Sequence, residues 1–279
     1  MSIGYASAKS LNYPYPMRRY SQQISYSSAP TPPVTNTRRT GAAATLTSLT
    51  FINNNTSTID NSIYEFGGGS LEAINGGDTI NYSGFNTSNT GAGTAPGGFP
   101  TGLGDFCIEG WLYVPSARSR ATTGDLGGLD LAGGLQIRFG QQYNTGGFNN
   151  ISLFARGAAD LDYAYYNWTS DTWTHFAIQR KSSSISIWAD GNKLSITGGS
   201  GGGSYNFTNT SSGSIVWGGY SAGVNDENML CYLDELCVSN SWRYNDTQST
   251  YTIPTSAFTV DEYTCMLFHF DTNLVTASS

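Results

Sequence analysis

The stretch WTHFAIQRKSSSISIWADGNKL, Trp173 to Leu194, decides the fold. The side chains of its first nine residues fit an alternation between two faces, which is typical of a β-strand. SISIW repeats the alternation, so a turn at 181–183 predicts a hairpin. Asp190-Gly191 then predicts a second tight turn, because glycine supplies the positive φ that such turns need. One face would carry Thr174, Phe176, Ile178 and Arg180, and the other Trp173, His175, Ala177 and Gln179.

The composition extends this prediction to the whole chain of 279 residues. Charged residues make up 12%, aromatic residues 13%, and glycine accounts for 34 positions. The aromatic residues supply enough apolar area for a core, and the scarcity of lysine and glutamate favours strands over helices. No long segment has a period of 3.6 residues. The sequence therefore predicts an all-β protein.

Short strands separated by Gly, Asn and Ser follow one another from about residue 43. They include ATLTSLTFI (44–52), SIYEF (62–66), GSLEAI (69–74), DTINYS (78–83), DFCIEGWLYV (105–114) and TCMLFHFD near the end. Many short strands at such spacing are typical of a sandwich or barrel and not of alternating strands and helices. We therefore assign residues 43–279 to one β domain.

The first 42 residues form a separate, extended N-terminal arm in this prediction. Residues 1–59 contain five basic residues and no acidic one, whereas the remainder carries 8 basic and 20 acidic residues, a charge of −12. Proline favours extended backbone, and tyrosine and arginine are enriched at protein interfaces. The arm is thus predicted to anchor the protein to a partner. The anchoring residues would be Tyr13, Tyr15, Arg18, Arg19, Tyr20, Arg38 and Arg39. A nucleic-acid partner is disfavoured, since the basic residues do not cluster on a folded face.

The four cysteines lie inside predicted strands and show no zinc-ligand spacing. The N-terminal residues lack the apolar core of a signal peptide, and no apolar run is long enough to cross a bilayer. We therefore expect synthesis in a reducing cytoplasm, free and mostly buried thiols, and no membrane insertion.

Five motifs in order resemble one known superfamily. They are DFCIEGWLYV, NWTSDTWTHFAIQR, SISIWADGNKL, CYLDELCVSNSWRYN and TCMLFHFD, covering about residues 60–275. This order resembles the concanavalin A-like lectin/glucanase superfamily, and within it the laminin-G-like domains. Cys237-Val238 and the glycine-rich stretch 198–204 depart from the family pattern.

The resemblance implies a two-sheet antiparallel jelly-roll sandwich. It places Trp111, Trp173 and Phe176 in or beside the core. It also implies that Asp234, Arg243 and Tyr244 brace the segment after the last long strand. His175 and Arg180 would then satisfy polar groups at the sheet and take no part in chemistry.

Catalysis is disfavoured by the placement of acids and histidines. Retaining glucanases need two carboxyl groups about 5–5.5 Å apart. Simple alternation would point Asp234 and Glu235 to opposite faces, and Glu109 stands alone. Neither His175 nor His269 lies beside a nucleophile motif. We therefore predict that the protein is not an enzyme.

Two kinds of ligand remain to be weighed. Loop acids Asp125, Asp130, Asp226 and Glu227 leave calcium open, but solvated loop carboxylates explain them, so we predict no cofactor. DLDYAYYNW (160–168) offers Tyr163, Tyr165, Tyr166 and Trp168 as a carbohydrate-binding set, although sheet packing would also explain these rings.

A jelly-roll sandwich behind a Tyr/Pro/Arg arm resembles the virion proteins of tailed bacteriophages, of the kind found in cyanophages. The main hypothesis is a structural protein, serving as capsid decoration, head fibre or tail appendage. Its arm would bind capsid or other virion proteins, and its sandwich would face outward for shell stabilisation or host attachment. We expect several copies, with a trimer as the working guess. The alternative is a free carbohydrate-binding lectin with a host glycan as ligand.

Overall fold

The computed structural model describes thirteen ranges of the chain. These are residues 51–53, 58–72, 78–82, 103–116, 127–131, 135–140, 150–155, 160–199, 201–207, 214–217, 231–259, 261–271 and 275–276. The arm at 1–42, with its seven predicted anchoring residues, lies outside them.

Within these ranges the chain is almost entirely β-structure. The strands are β1 Phe51–Asn53, β2 Thr58–Asp60, β3 Ser70–Glu72, β4 Asp78–Tyr82, β5 Phe106–Tyr113, β6 Gly127–Leu131, β7 Leu135–Phe139, β8 Asn150–Ala155, β9 Asp160–Tyr165, β10 Trp173–Lys181, β11 Ser184–Ala189, β12 Asn192–Lys193, β13 Ile196–Gly198, β14 Ser214–Trp217, β15 Tyr232–Ser239, β16 Thr264–Phe268 and β17 Val275–Thr276. One short 3-10 helix spans Gly202–Ser204. No described helix is long and apolar enough to span a membrane.

The described strands form two sheets, so the predicted all-β sandwich is confirmed. Sheet A has the order β13-β9-β8-β7-β6-β14-β4-β1-β17, and sheet B has β12-β11-β10-β5-β15-β3-β2 with β16 also paired to β15. All described strand pairs are antiparallel except β1 with β17. The chain passes repeatedly from one sheet to the other, as in a jelly roll.

The main core lies between the two sheets. Sheet A contributes residues such as Ile137 and Phe139, and sheet B contributes Ile108, Phe176 and Ile178, all fully buried. The rings of Phe139 and Phe176 meet across the sandwich with centroids 4.8 Å apart. Of the two faces predicted for the Trp173–Lys181 strand, the one with Phe176 and Ile178 therefore points into this core.

Both predicted hairpin turns are present. β10 pairs with β11 from Phe176–Ala189 to Lys181–Ser184, leaving a two-residue turn at Ser182 and Ser183. These serines have φ of 47° and 65°, and Asp190 and Gly191 have φ of 44° and 82°. Such paired positive values match the right-handed twist of the strands that they join.

The predicted strand SIYEF (62–66) is wrong. The backbone amides of Ser62 and Ile63 donate to the Asp60 carboxylate at 2.6 and 3.2 Å. Those of Glu65 and Phe66 donate to the Asp234 carboxylate at 2.9 and 3.1 Å. Because side-chain carboxylates satisfy these amides, the segment has no need of a neighbouring strand.

Candidate functional site

The outer face of sheet B carries a second buried layer. An irregular segment, residues 240–259, lies over it and contributes Tyr244, Tyr251 and Phe258. Beneath are Cys107, Trp111, Ala177, Trp188 and Cys237 from the strands. The second predicted face of β10, which carries Ala177, is therefore buried as well. His175 and Gln179 on this face are fully buried.

Polar side chains fasten this covering segment to the sheet. The Gln179 carboxamide accepts from the backbone amides of Arg243 and Tyr244 at 3.0 and 2.9 Å, and donates to the Tyr244 carbonyl at 2.7 Å. Arg243 forms an ion pair with Asp261 and donates to the Ser239 hydroxyl at 2.7 and 2.9 Å. Burial would raise the pKa of Asp261, but Arg243 outweighs it and lowers this pKa to about 2.

His175 and Glu109 occupy the centre of the buried layer. His175 Nδ1 bonds to the Tyr251 hydroxyl, and His175 Nε2 lies 3.6 Å from Glu109 Oε2. The Tyr244 hydroxyl donates to the same Glu109 oxygen. Burial alone would raise the pKa of Glu109, but His175, Tyr244 and Arg243 together hold it below its ordinary value. The pair thus holds the covering segment through the hydroxyls of Tyr251 and Tyr244.

The adjacent acids Asp234 and Glu235 do not follow simple alternation. β15 carries one extra residue between the pairs Asp234–Trp111 and Cys237–Glu109, which is a β-bulge. Glu235 takes the bulge position with φ of 50°. Its carboxylate accepts from the Phe258 amide at 2.6 Å and lies 2.7 Å from His269 Nδ1.

Asp234 also has a structural environment. Besides Glu65 and Phe66, the amide of Glu235 donates to its carboxylate at 2.8 Å. Burial, followed by the charge of Glu235, raises the pKa of Asp234 to about 7, although the three amides oppose the shift. Asp234 thus braces the 65–66 segment, and Arg243 and Tyr244 brace the segment after β15.

Arg180 is buried at the end of the core. Its guanidinium donates to the carbonyl of Gly104 at 2.8 Å and to that of Tyr205 at 2.8 Å. It lies over the rings of Phe106 and Phe207, 5.1 and 5.2 Å from their centroids. Burial lowers the pKa of Arg180 to about 10, against the opposing effect of Asp105, so it remains a cation at neutral pH.

The four predicted carbohydrate-binding residues separate into two pairs. Tyr163 and Tyr165 point outward from sheet A with ring centroids 6.1 Å apart, and Tyr165 is 45% exposed. Tyr166 and Trp168 follow the end of β9 and pack against the main core. The Trp168 ring meets Phe139 at 5.6 Å, and its Nε1 donates to the Asn150 carbonyl at 3.3 Å.

Sequence reasoning missed the polar neighbours of the outward tyrosines. Strand register places Ser152 and Arg138 in line with Tyr163, and Asn150 in line with Tyr165. Gln136 lies on the same face of β7, two residues from Arg138. All four are buried, and the Gln136 carboxamide and the Ser152 hydroxyl have no hydrogen-bond partner in the described part of the chain. The signal was the alternation in LQIRF and NISLF, which interleaves polar and apolar residues.

The edge of sheet A holds Tyr163 in place. Gly198 on β13 is its register partner. A Cβ atom at residue 198 would lie 2.8 Å from the Tyr163 hydroxyl oxygen, so glycine makes room for the ring. The next loop is fixed as well, because the Gly202 amide donates to the Asp162 carboxylate at 2.7 Å. We name Tyr163, Tyr165, Gln136, Arg138, Asn150 and Ser152 the sheet A face.

Metal and thiol predictions can be placed only in part. Asp125, Asp226 and Glu227 lie outside the described residues, and Asp130 lies on β6 with its side chain undescribed. Among the described residues no group of three or more His, Cys, Asp or Glu side chains is arranged to hold a metal. Cys107 and Cys237 are free and buried, as predicted for them, and Cys231 is also buried.

No protein-family model matches this chain, and no curated protein sequence matches it. Solved structures do match. The chain is similar to a proposed carbohydrate-binding protein from Bacteroides ovatus, with 13% identity and a TM-score of 0.45, over 62% of this chain and 48% of that one. It is similar to domain 4 of AbnA, a GH43 extracellular arabinanase from Geobacillus stearothermophilus, with 12% identity and a TM-score of 0.41, over 70% and 82%.

The cellulose-induced protein Cip1 gives 14% identity and a TM-score of 0.41, over 67% of this chain and 86% of that one. This chain thus spans about half the length of the first of these proteins. At identities of 12 to 14% and TM-scores of 0.41 to 0.45, the functions of these three proteins are not transferred to this chain.

Proposed function

We propose that the protein is a non-enzymatic carbohydrate-binding sandwich whose ligand stacks on the sheet A face. The observation that carries this proposal is the alignment of outward tyrosine rings with polar side chains on the next two strands. Ring faces contact the C–H side of a saccharide, and buried amide and hydroxyl groups provide directional bonds to its hydroxyls.

The polar groups make the surface more selective for its ligand than a flat apolar surface would be. Leaving a buried amide or hydroxyl without a partner costs on the order of 1–3 kcal/mol, so these groups favour a ligand rich in hydroxyls. Gln136 and Ser152 meet this description.

A glycan array with the full chain tests the proposal. We expect Tyr165→Ala to reduce binding about tenfold or more, because stacked aromatic contacts contribute on the order of 1 kcal/mol or more. Tyr64→Ala is the matched control, since Tyr64 is exposed to a similar extent, 43% against 45%, and lies elsewhere. An array without any bound glycan, or equal losses in both variants, contradicts the proposal.

We propose further that the sandwich is displayed on a phage particle. The support is the charge division of the sequence, in which a basic Tyr/Pro/Arg arm precedes an acidic body. The arm would bind capsid or other virion proteins, and the sandwich would face the host surface.

Deletion of residues 1–42 tests the anchoring role. We expect the truncated protein to fold and remain soluble but to be absent from assembled particles, because the binding residues are lost and the sandwich core is kept. Circular dichroism reports the fold, and immunoblotting of purified particles reports incorporation. Incorporation at the level of the full chain would refute the anchor.

A further inference from the structure

One complete row of side chains crosses five strands at an end of sheet B. Its members are mutual register partners, in the order Trp173, Tyr113, Tyr232, Glu72 and Thr58, from β10, β5, β15, β3 and β2. At about 4.8 Å between strands, the row extends over roughly 19 Å. It lies on the outer face, just beyond the region that residues 240–259 cover. We name it the end row.

Contacts between neighbours hold the end row together. The Tyr113 ring lies 5.4 Å from Trp173 and 5.8 Å from Tyr232, centroid to centroid. The Tyr232 hydroxyl donates to Glu72 Oε1 at 3.2 Å, and the Thr58 hydroxyl donates to Glu72 Oε2 at 3.1 Å. The row is therefore ordered before any ligand arrives, which lowers the entropic cost of binding.

A second carboxylate adjoins the row through the loop before β10. The Tyr113 hydroxyl lies 3.5 Å from Asp171 Oδ1, and the Ser116 amide donates to that oxygen at 2.9 Å. Asp171 is exposed and has φ of 59°, a conformation that few residues adopt. Bonds from Ser116, with a smaller one from Tyr113, lower the pKa of Asp171, so it is ionised at neutral pH.

The hydrogen-bond directions determine what the row presents. The hydroxyl hydrogens of Tyr113, Tyr232 and Thr58 are directed at the two carboxylates. What the row presents to solvent is the exposed, ionised carboxylate of Asp171 and the partly exposed rings of Trp173 and Tyr113. A complementary ligand must bring positive charge, several N–H donors and a flat face.

From this complementarity we infer that the end row binds the guanidinium group of an arginine in an extended polypeptide. A guanidinium combines fixed positive charge with five N–H donors, and its plane stacks on aromatic rings. The length of the row suits a segment of about six extended residues.

Calorimetric titration of the full chain with acetyl-AARAA-amide tests the inference. A peptide with citrulline in place of arginine keeps the shape and loses the charge. We expect the arginine peptide to bind at least about tenfold tighter than the citrulline peptide, since charge-assisted hydrogen bonds and cation–π contacts are lost together. Equal affinity for the two peptides would overturn the inference.

Variants locate the site. We expect Asp171→Asn to weaken the arginine peptide about tenfold. Asparagine tolerates positive φ and still accepts from Ser116, so Asp171→Asn should fold. Glu262→Gln is the control, because Glu262 is also an exposed carboxylate and lies close to Thr264, which pairs with Ser239 at the other end of β15 from Tyr232.

Equal weakening by Glu262→Gln would show a general charge effect and overturn the assignment. Competition by a neutral saccharide would instead assign the row to sugars, which also overturns it. A peptide with residues 14–22 of this chain, PYPMRRYSQ, compared with the same peptide carrying citrulline at both arginines, tests whether the arm of another copy is a source of the arginine. Neither result depends on Tyr165, so this inference and the carbohydrate proposal fail separately.

Discussion

Replacing Arg180 by alanine is expected to lower the free energy of unfolding by about 4 kcal/mol. The side chain is fully buried and packs against the rings of Phe106 and Phe207. Its removal leaves a cavity and takes the donors away from the carbonyls of Gly104 and Tyr205. The cavity and the lost hydrogen bonds both destabilise the fold, because alanine neither fills the space nor donates to the carbonyls. Urea unfolding followed by tryptophan fluorescence measures the loss.

Lys181 provides the control on the same strand. It faces the other side of sheet B, where its ammonium pairs with Asp246 at 2.8 Å and both side chains are about a quarter exposed. We expect Lys181→Ala to cost about 1 kcal/mol or less, as is usual for surface ion pairs. Arg180→Met should fall between the two, since it fills the volume but provides no donors. A loss for Arg180→Ala no larger than that for Lys181→Ala would disprove the structural role.

The sequence correctly predicted the elements that are determined by residues close to one another along the chain. The β10–β11 hairpin followed from period-two alternation and from the turn residues around Ser182 and Gly191, all of which act within a few residues. The division of β10 into an inward and an outward face was correct for the same reason. What covers the outward face was not predictable, because residues 240–259 have no period and bond to strands far away in sequence.

The departures from prediction all involve distant partners. Residues 62–66 look like a strand until Asp234, about 170 positions away, takes up two of their amides. Simple alternation fails at Glu235 because a bulge places a non-glycine residue at positive φ, where the Phe258 amide and His269 bind its carboxylate.

In the candidate sites, too, the sequence predicted only what neighbouring residues determine. Tyr163 and Tyr165 could be named from DLDYAYYNW, but only the end of β9 at Tyr165 separates them from Tyr166 and Trp168. The end row could not be named at all. Its members come from five strands, and nothing in the sequence brings them together until every register is known.

The buried pair of His175 and Glu109 gives the second large effect. We expect His175→Leu to lower the free energy of unfolding by about 3 kcal/mol, because it leaves the Glu109 carboxylate buried without the imidazole beside it and deprives the Tyr251 hydroxyl of its partner. Glu109→Gln is expected to cost less, since the amide oxygen still accepts from Tyr244. Urea unfolding at neutral pH measures each variant.

The decisive comparison is the double variant His175→Leu with Glu109→Gln. If His175 stabilises the fold by compensating the Glu109 charge, removing that charge relieves part of the loss, and the double variant is more stable than the sum of the two single losses predicts by about 1–2 kcal/mol. Additive losses would mean that the two residues act independently, so that His175 matters through packing against Trp111 and Tyr251. The double-mutant cycle therefore shows whether His175 holds residues 240–259 by charge compensation or by packing alone. It needs no assay of ligand binding.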